Sequence, residues 1–161
     1  MRQIPFLRRL RLGTIALTIV AVDFASKQLA AAFFSANRID VLPFLQFRYV
    51  LNRGAAFGMF AESGDVARSL LATISIVAAV VFTIWLLFYR RLAVSEAWAV
   101  TLLLGGTLGN MVDRLREGQV IDFIYFHIGE YGFPAFNVAD MAISFGVLII
   151  AINWFRAERR G

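Results

Sequence analysis

Apolar residues gather into four long runs: Gly13 to Phe34, Val66 to Tyr89, Ala93 to Val112, and Ala139 to Phe155. A helix crossing a hydrocarbon layer of about 30 Å needs about 20 residues at about 1.5 Å rise each. The first three runs reach that length. The fourth is shorter, so its helix is expected to start a few residues early or to cross a locally thin region. Between the first two runs lies the segment 35–65. Its stretch from Asp40 to Asn52 is rich in aromatic and β-branched residues, as short strands are. It leads into Asn52-Arg53-Gly54-Ala55-Ala56-Phe57-Gly58, where two glycines allow a turn or a close backbone approach. A small strand-like platform on the membrane surface is the expectation. The other polar segment, 113–138, carries most of the remaining polar residues. No repeat or low-complexity tract interrupts the chain. The pattern predicts a mainly α membrane protein, with four transmembrane helices and a single domain over 1–161.

Composition agrees with lipid as the main solvent. The chain is 60% hydrophobic and 17% charged, against about 45–50% and about 25% for a soluble domain. Its mean hydropathy is +0.71. The net charge of +5 does not point to nucleic acid, because the arginines flank apolar runs, where they govern topology and meet anionic head groups. Arg2, Arg8, Arg9 and Arg11, then Arg90 and Arg91, then Arg156, Arg159 and Arg160 fall on one side if there are four spans. Both termini are therefore expected in the cytoplasm, with 35–65 and 113–138 outside. The basic N-terminus, apolar run and Ala30-Ala31-Ala32 resemble a signal peptide. That run is long for one and carries Asp23 and Lys27, so a retained first helix is expected. The sequence has no Cys and one His, which excludes thiolate chemistry and a multi-histidine metal site. The lone imidazole, His127, reads as an interfacial side chain.

Charges at membrane depth cost about 2.5–3.5 kcal/mol each on insertion scales, so each asks for a reason. Asp23 and Lys27 are four apart on one helical face, acid before base. They form either a neutralised pair within the bundle or, in addition, the border of a polar cavity. Asn110, Asp113 and Arg114 share a face at the end of the third helix, after Gly105, Gly106 and Gly109, whose size lets membrane helices approach closely. Asp122 lies in the apolar stretch Val120-Ile121-Asp122-Phe123, where desolvation raises a carboxyl pKa. Asp140 lies at the mouth of the fourth helix, where the helix dipole favours an acid. Each alone has a bland reading. Together they lie at adjoining helix ends, where two carboxylates can share a proton and activate water for amide hydrolysis.

These motifs resemble the bacterial lipoprotein signal peptidase family, also called signal peptidase II. The resemblance runs through Asp23 with Lys27, Asn52 to Gly58, Gly106 to Arg114, Val120 to Phe123, and Phe136-Asn137-Val138-Ala139-Asp140, and so covers nearly the whole chain. It implies an intramembrane aspartyl endopeptidase that needs no cofactor or metal. Such an enzyme removes the signal peptide of prolipoproteins just before a diacylglyceryl-modified cysteine. It implies Asp122 and Asp140 as the catalytic pair. Asn52, Arg53, Gly54, Asn110, Arg114 and Asn137 would bind or line the site, supported by Asp23, Lys27 and Asp113. It also implies a small extracytoplasmic β-cradle and a short membrane-surface helix, for which Ala56–Val66 is the candidate. The remaining implications are the bacterial inner membrane, a monomer, and inhibition by globomycin-type cyclic peptides.

Two other functions fit parts of the pattern. A proton-coupled small membrane transporter would also carry intramembrane Asp, Lys and Asn. A scaffold protein built on the Gly-rich third helix would leave Asp122 and Asp140 without a joint role.

Overall fold

The structure, a computed structural model, describes residues 5–54, 64–89 and 92–159. Four helices and four strands alternate in the order α1 (Phe6–Phe34), β1 (Ile39–Leu42), β2 (Leu45–Asn52), α2 (Gly64–Phe88), α3 (Val94–Glu117), β3 (Val120–Ile128), β4 (Tyr131–Gly132) and α4 (Val138–Glu158). Phe6–Phe34, Arg68–Phe88 and Val138–Glu158 are each long and apolar enough to cross a bilayer, and the chain is a membrane protein. The expected shortness of the fourth helix is corrected. It holds 21 residues, because Arg156, Ala157 and Glu158 continue the helix beyond its apolar run.

α3 has 24 residues but is not among the three apolar helices. Its position explains this. α3 packs against α1, α2 and α4 and buries Thr101, Asn110 and Asp113. Facing protein on several sides, it carries polar groups that lipid would penalise. Its glycines make the approach possible. A Cβ at Gly106 would collide with the Ala139 carbonyl oxygen and the Ile143 side chain, and one at Gly109 would sit 2.7 Å from Asp23 Oδ2. Asp113 and Arg114 belong to the last turns of α3, in line with the face they were expected to share with Asn110 at the end of the third helix. That helix ends at Gly118, whose left-handed φ of 67° lets its N–H reach the Arg114 carbonyl at 3.1 Å.

The strands form one antiparallel sheet in the order β1-β2-β3-β4. It lies where α1 and α3 end and where α2 and α4 begin. Strands were expected only in the first polar segment, yet the longest, β3, comes from the second. Val120 to Phe123 are all buried, so the alternation that marks a half-exposed strand is missing. Val50 faces Asp122 across the ladder, and the register slips between Phe47 and Val50. Residues 56–63 of the surface-helix candidate lie outside the described residues, and Gly64 to Val66 are the first turn of α2.

At the opposite end, Leu12, Ala16, Leu86, Leu92, Ala97 and Val100 form the core. There the buried Arg9 donates from Nη1 to the carbonyls of Leu86 at 3.2 Å, Leu87 at 3.2 Å and Tyr89 at 2.8 Å. Those are the carbonyls that the end of α2 leaves without helical partners.

Candidate active site

α4 begins with a reciprocal cap. Asn137 Oδ1 accepts the Asp140 N–H at 2.9 Å, and Asp140 Oδ2 accepts the Asn137 N–H at 3.2 Å. This capping box ties the acid into the first turn. The Asn137 amide then reaches across to β3, where Nδ2 donates to Asp122 Oδ1 at 2.7 Å. One residue therefore donates to both carboxyls, from its side-chain amide to Asp122 and from its backbone N–H to Asp140.

Two further amides complete the surroundings. Asn52, at the end of β2, donates from Nδ2 to Asp122 Oδ2 at 3.0 Å, while its Oδ1 accepts the Gly54 N–H at 3.0 Å. Gly54 thus fixes which way the Asn52 amide faces. Asn110 on α3 donates to Asp140 Oδ1 at 2.7 Å and accepts from Asn137 at 3.1 Å. Asp122 is 2% exposed. Burial, and then the neighbouring Asp140 charge, push its carboxyl up to about 7, against the lowering effect of the Asn52 and Asn137 hydrogen bonds and the Lys27 charge.

Asp122 and Asp140 open on a cleft of about 860 Å³, which Asn52, Arg53, Asn110 and Arg114 also line. Val50, Leu51, Phe133, Phe136, Met141 and Phe145 supply apolar walls. Arg114 Nη1 donates to Ser75 Oγ at 3.4 Å. Arg53 is exposed and bonds Gln119 at 3.4 Å.

Asp23, Lys27 and Asp113 do not line the cleft. Lys27 Nζ sits at 2.7 Å from Asp23, 2.8 Å from Asp113 and 3.0 Å from Asn110 Oδ1. Asp23 Oδ1 accepts the Ala139 N–H at 2.8 Å, and Asp113 Oδ2 accepts the Ile121 N–H at 3.2 Å. This layer lies behind the cleft and joins α1, α3, β3 and α4. Of the two readings of Asp23 and Lys27, the neutralised pair describes the contact, and Asn110 links it to the cavity.

Arg48, which lines the cleft, was missed from sequence. Its one signal was a charge in the middle of an otherwise apolar strand. Among the described residues, no group of three or more His, Cys, Asp or Glu is disposed to hold a metal ion.

A family model described as signal peptidase (SPase) II matches residues 15–156. A lipoprotein signal peptidase of Aquifex aeolicus (strain VF5) is 40% identical over 145 residues, covering 88% of this chain and 84% of that protein. A lipoprotein signal peptidase of Pseudomonas aeruginosa (strain UCBPP-PA14) is 41% identical over 156 residues, covering 90% of each. A bacterial membrane enzyme solved by the in meso method at 2.3 Å resolution superposes with a TM-score of 0.78 at 31% identity, covering 89% of this chain and 86% of that one.

Proposed function

The chain belongs to the signal peptidase II family, and on that premise we propose that it is an aspartyl endopeptidase that cleaves prolipoproteins just before the diacylglyceryl-modified cysteine. The observation that carries the aspartyl reading is Asn137, which donates from Nδ2 to the Asp122 carboxyl and from its backbone N–H to the Asp140 carboxyl, both on the wall of one cleft. Close carboxyls titrate as a pair, one ionised while the other keeps its proton. The ionised member removes a proton from a water, whose oxygen attacks the scissile carbonyl. The protonated member hydrogen-bonds the carbonyl oxygen and supports its developing charge. Collapse breaks the C–N bond, and the departing amine takes up a proton. The products are a signal peptide with a new carboxylate and a lipid-modified cysteine with a free amine. Asp122 suits the protonated role, given its carboxyl near 7. Two N–H donors and the start of α4 face Asp140, an arrangement that suits an anion.

Asn52, Asn110 and Asn137 hold the two acids, with Gly54 orienting Asn52. Arg53 and Arg114 are placed for substrate carbonyls or head groups. Asp23, Lys27 and Asp113 support the frame. The acyl chains of the substrate stay in lipid while the peptide occupies the cleft. A globomycin-type peptide would compete for the same space.

In this reading the whole chain is one domain of four spans in a bacterial inner membrane, acting as a monomer. The 24 residues of α3 give about 36 Å of helix, enough to cross. The arginines at both termini mark the cytoplasmic side, leaving sheet and cleft at the extracytoplasmic face. A reporter fused after Gly161 should read cytoplasmic, and the opposite result would reverse the orientation. The matched family and its named relatives are peptidases, which leaves the carrier reading without support.

The deciding assay is cleavage of a diacylglyceryl-modified prolipoprotein by Asp122→Asn and Asp140→Asn. Each should abolish cleavage with the protein still folded in membranes. Full activity in either variant removes the pair from the mechanism.

A further inference from the structure

Arg48 is a charged side chain on the cleft wall that the proposed hydrolysis does not use. Its guanidinium carbon lies 3.3 Å from the centre of the Tyr125 ring. Its Nε is buried and has no hydrogen-bond partner among the described residues. Among the described residues, no carboxylate forms an ion pair with it. The slip of register between Phe47 and Val50 places an extra residue on β2 at this point. Such bulges re-aim side chains and are common beside active sites. A buried donor without an acceptor is costly, and a guanidinium seated over a ring keeps N–H donors that match a carboxylate.

The strand supplies a ruler. Val50 faces Asp122, and Arg48 lies two residues further along β2, roughly 7 Å at about 3.3 Å per residue. An extended peptide covers about the same distance per residue. A substrate whose cleaved bond lies at Asp122 and which follows β2 away from the bundle brings its second or third residue after that bond to Arg48.

We propose that Arg48 forms a subsite for an acidic side chain two or three residues after the cleaved bond, the modified cysteine counting as the first. This rests on the peptidase reading and adds sequence preference on the released, lipid-bearing side.

The test uses the purified full chain and synthetic diacylglyceryl-modified peptides carrying Asp, Asn or Lys at each position from the second to the sixth. The expected kcat/KM order at the second or third position is Asp, then Asn, then Lys. A step of about fivefold separates Asp from Asn, as for a partly exposed ion pair, and the preference disappears by the sixth position. Arg48→Glu should invert the order of Asp and Lys at the same position, and Arg48→Gln should flatten it. A flat profile for the unmodified chain, or an Asp preference that survives Arg48→Glu, overturns the subsite while leaving the peptidase reading intact. If no peptide is cleaved at all, both fall. Should the variants not fold, the native chain at about 1 M salt decides, because screening to about 3 Å must erase an electrostatic preference, and an undiminished one overturns the proposal.

Discussion

Two pairs of aspartates, Asp23, Asp113 and Asp122 buried and Asp140 half-buried, lie next to each other at the sheet end of the bundle, and they are treated in opposite ways. Asp23 and Asp113 share the Lys27 ammonium, and each also accepts one backbone N–H. Asp122 and Asp140 receive only neutral donors, from Asn52, Asn110 and Asn137. Among the described residues, no cation pairs with either. Lys27 neutralises its two acids, whereas the amides position theirs without adding charge. The rear pair joins α1, α3, β3 and α4, and the front pair, with no ion-paired cation among the described residues, is the one proposed for proton transfer. Residue type does not separate the two pairs. The neighbours do.

The sharpest way to test this contrast is to remove charge from each pair in turn. Asp122→Asn or Asp140→Asn should lower kcat by about 10³-fold or more, at the upper end of what positioned acid–base groups contribute. Thermal unfolding in detergent should stay close to that of the parent, and a parallel collapse of folding would erase the distinction. Lys27→Met should do the reverse, costing about 3 kcal/mol or more of stability by leaving two buried carboxylates without their cation. An equally stable Lys27→Met variant would show that the rear layer is not structural.

A smaller effect follows from pH. With Asp122 near 7 and required protonated, activity should be halved at about pH 7 and fall about tenfold per unit above it. The sign for stability is the same. A carboxyl whose folded value is raised from 3.8 favours the folded state below about pH 4, and this contribution is lost as pH climbs to about 7. Asp122→Asn should remove that slope, and an unchanged slope would assign it to other groups.

Much of this was legible in sequence because it rests on runs and spacing. The apolar stretches of α1 and α2 announce themselves by length. Asp23 and Lys27 announce their pairing by an interval of four. The N-terminal position of Asp140 follows from Asn137 three residues before it. What stayed hidden depends on long-range contact. Asp113 meets Lys27 across 85 intervening positions, so no local pattern marks it as that lysine's second partner. β3 is buried along its first half and so lacks the period of two that betrays a strand. α3 is the least apolar of the helices because protein, rather than lipid, surrounds much of it. Arg48 owes its aim to a slip between β2 and β3 that only the paired strands display.

The Arg9 clasp has a consequence for how the chain assembles. α1 and α2 touch little along their lengths, so the three carbonyls held by one guanidinium are a main tie between them. Arg9 leaves the ribosome long before Leu86 does. In the orientation proposed above, this arginine is therefore already at the inner leaflet when the end of α2 is delivered there. On that reading one side chain serves both topology and the first interhelical closure, in the order in which the protein is made.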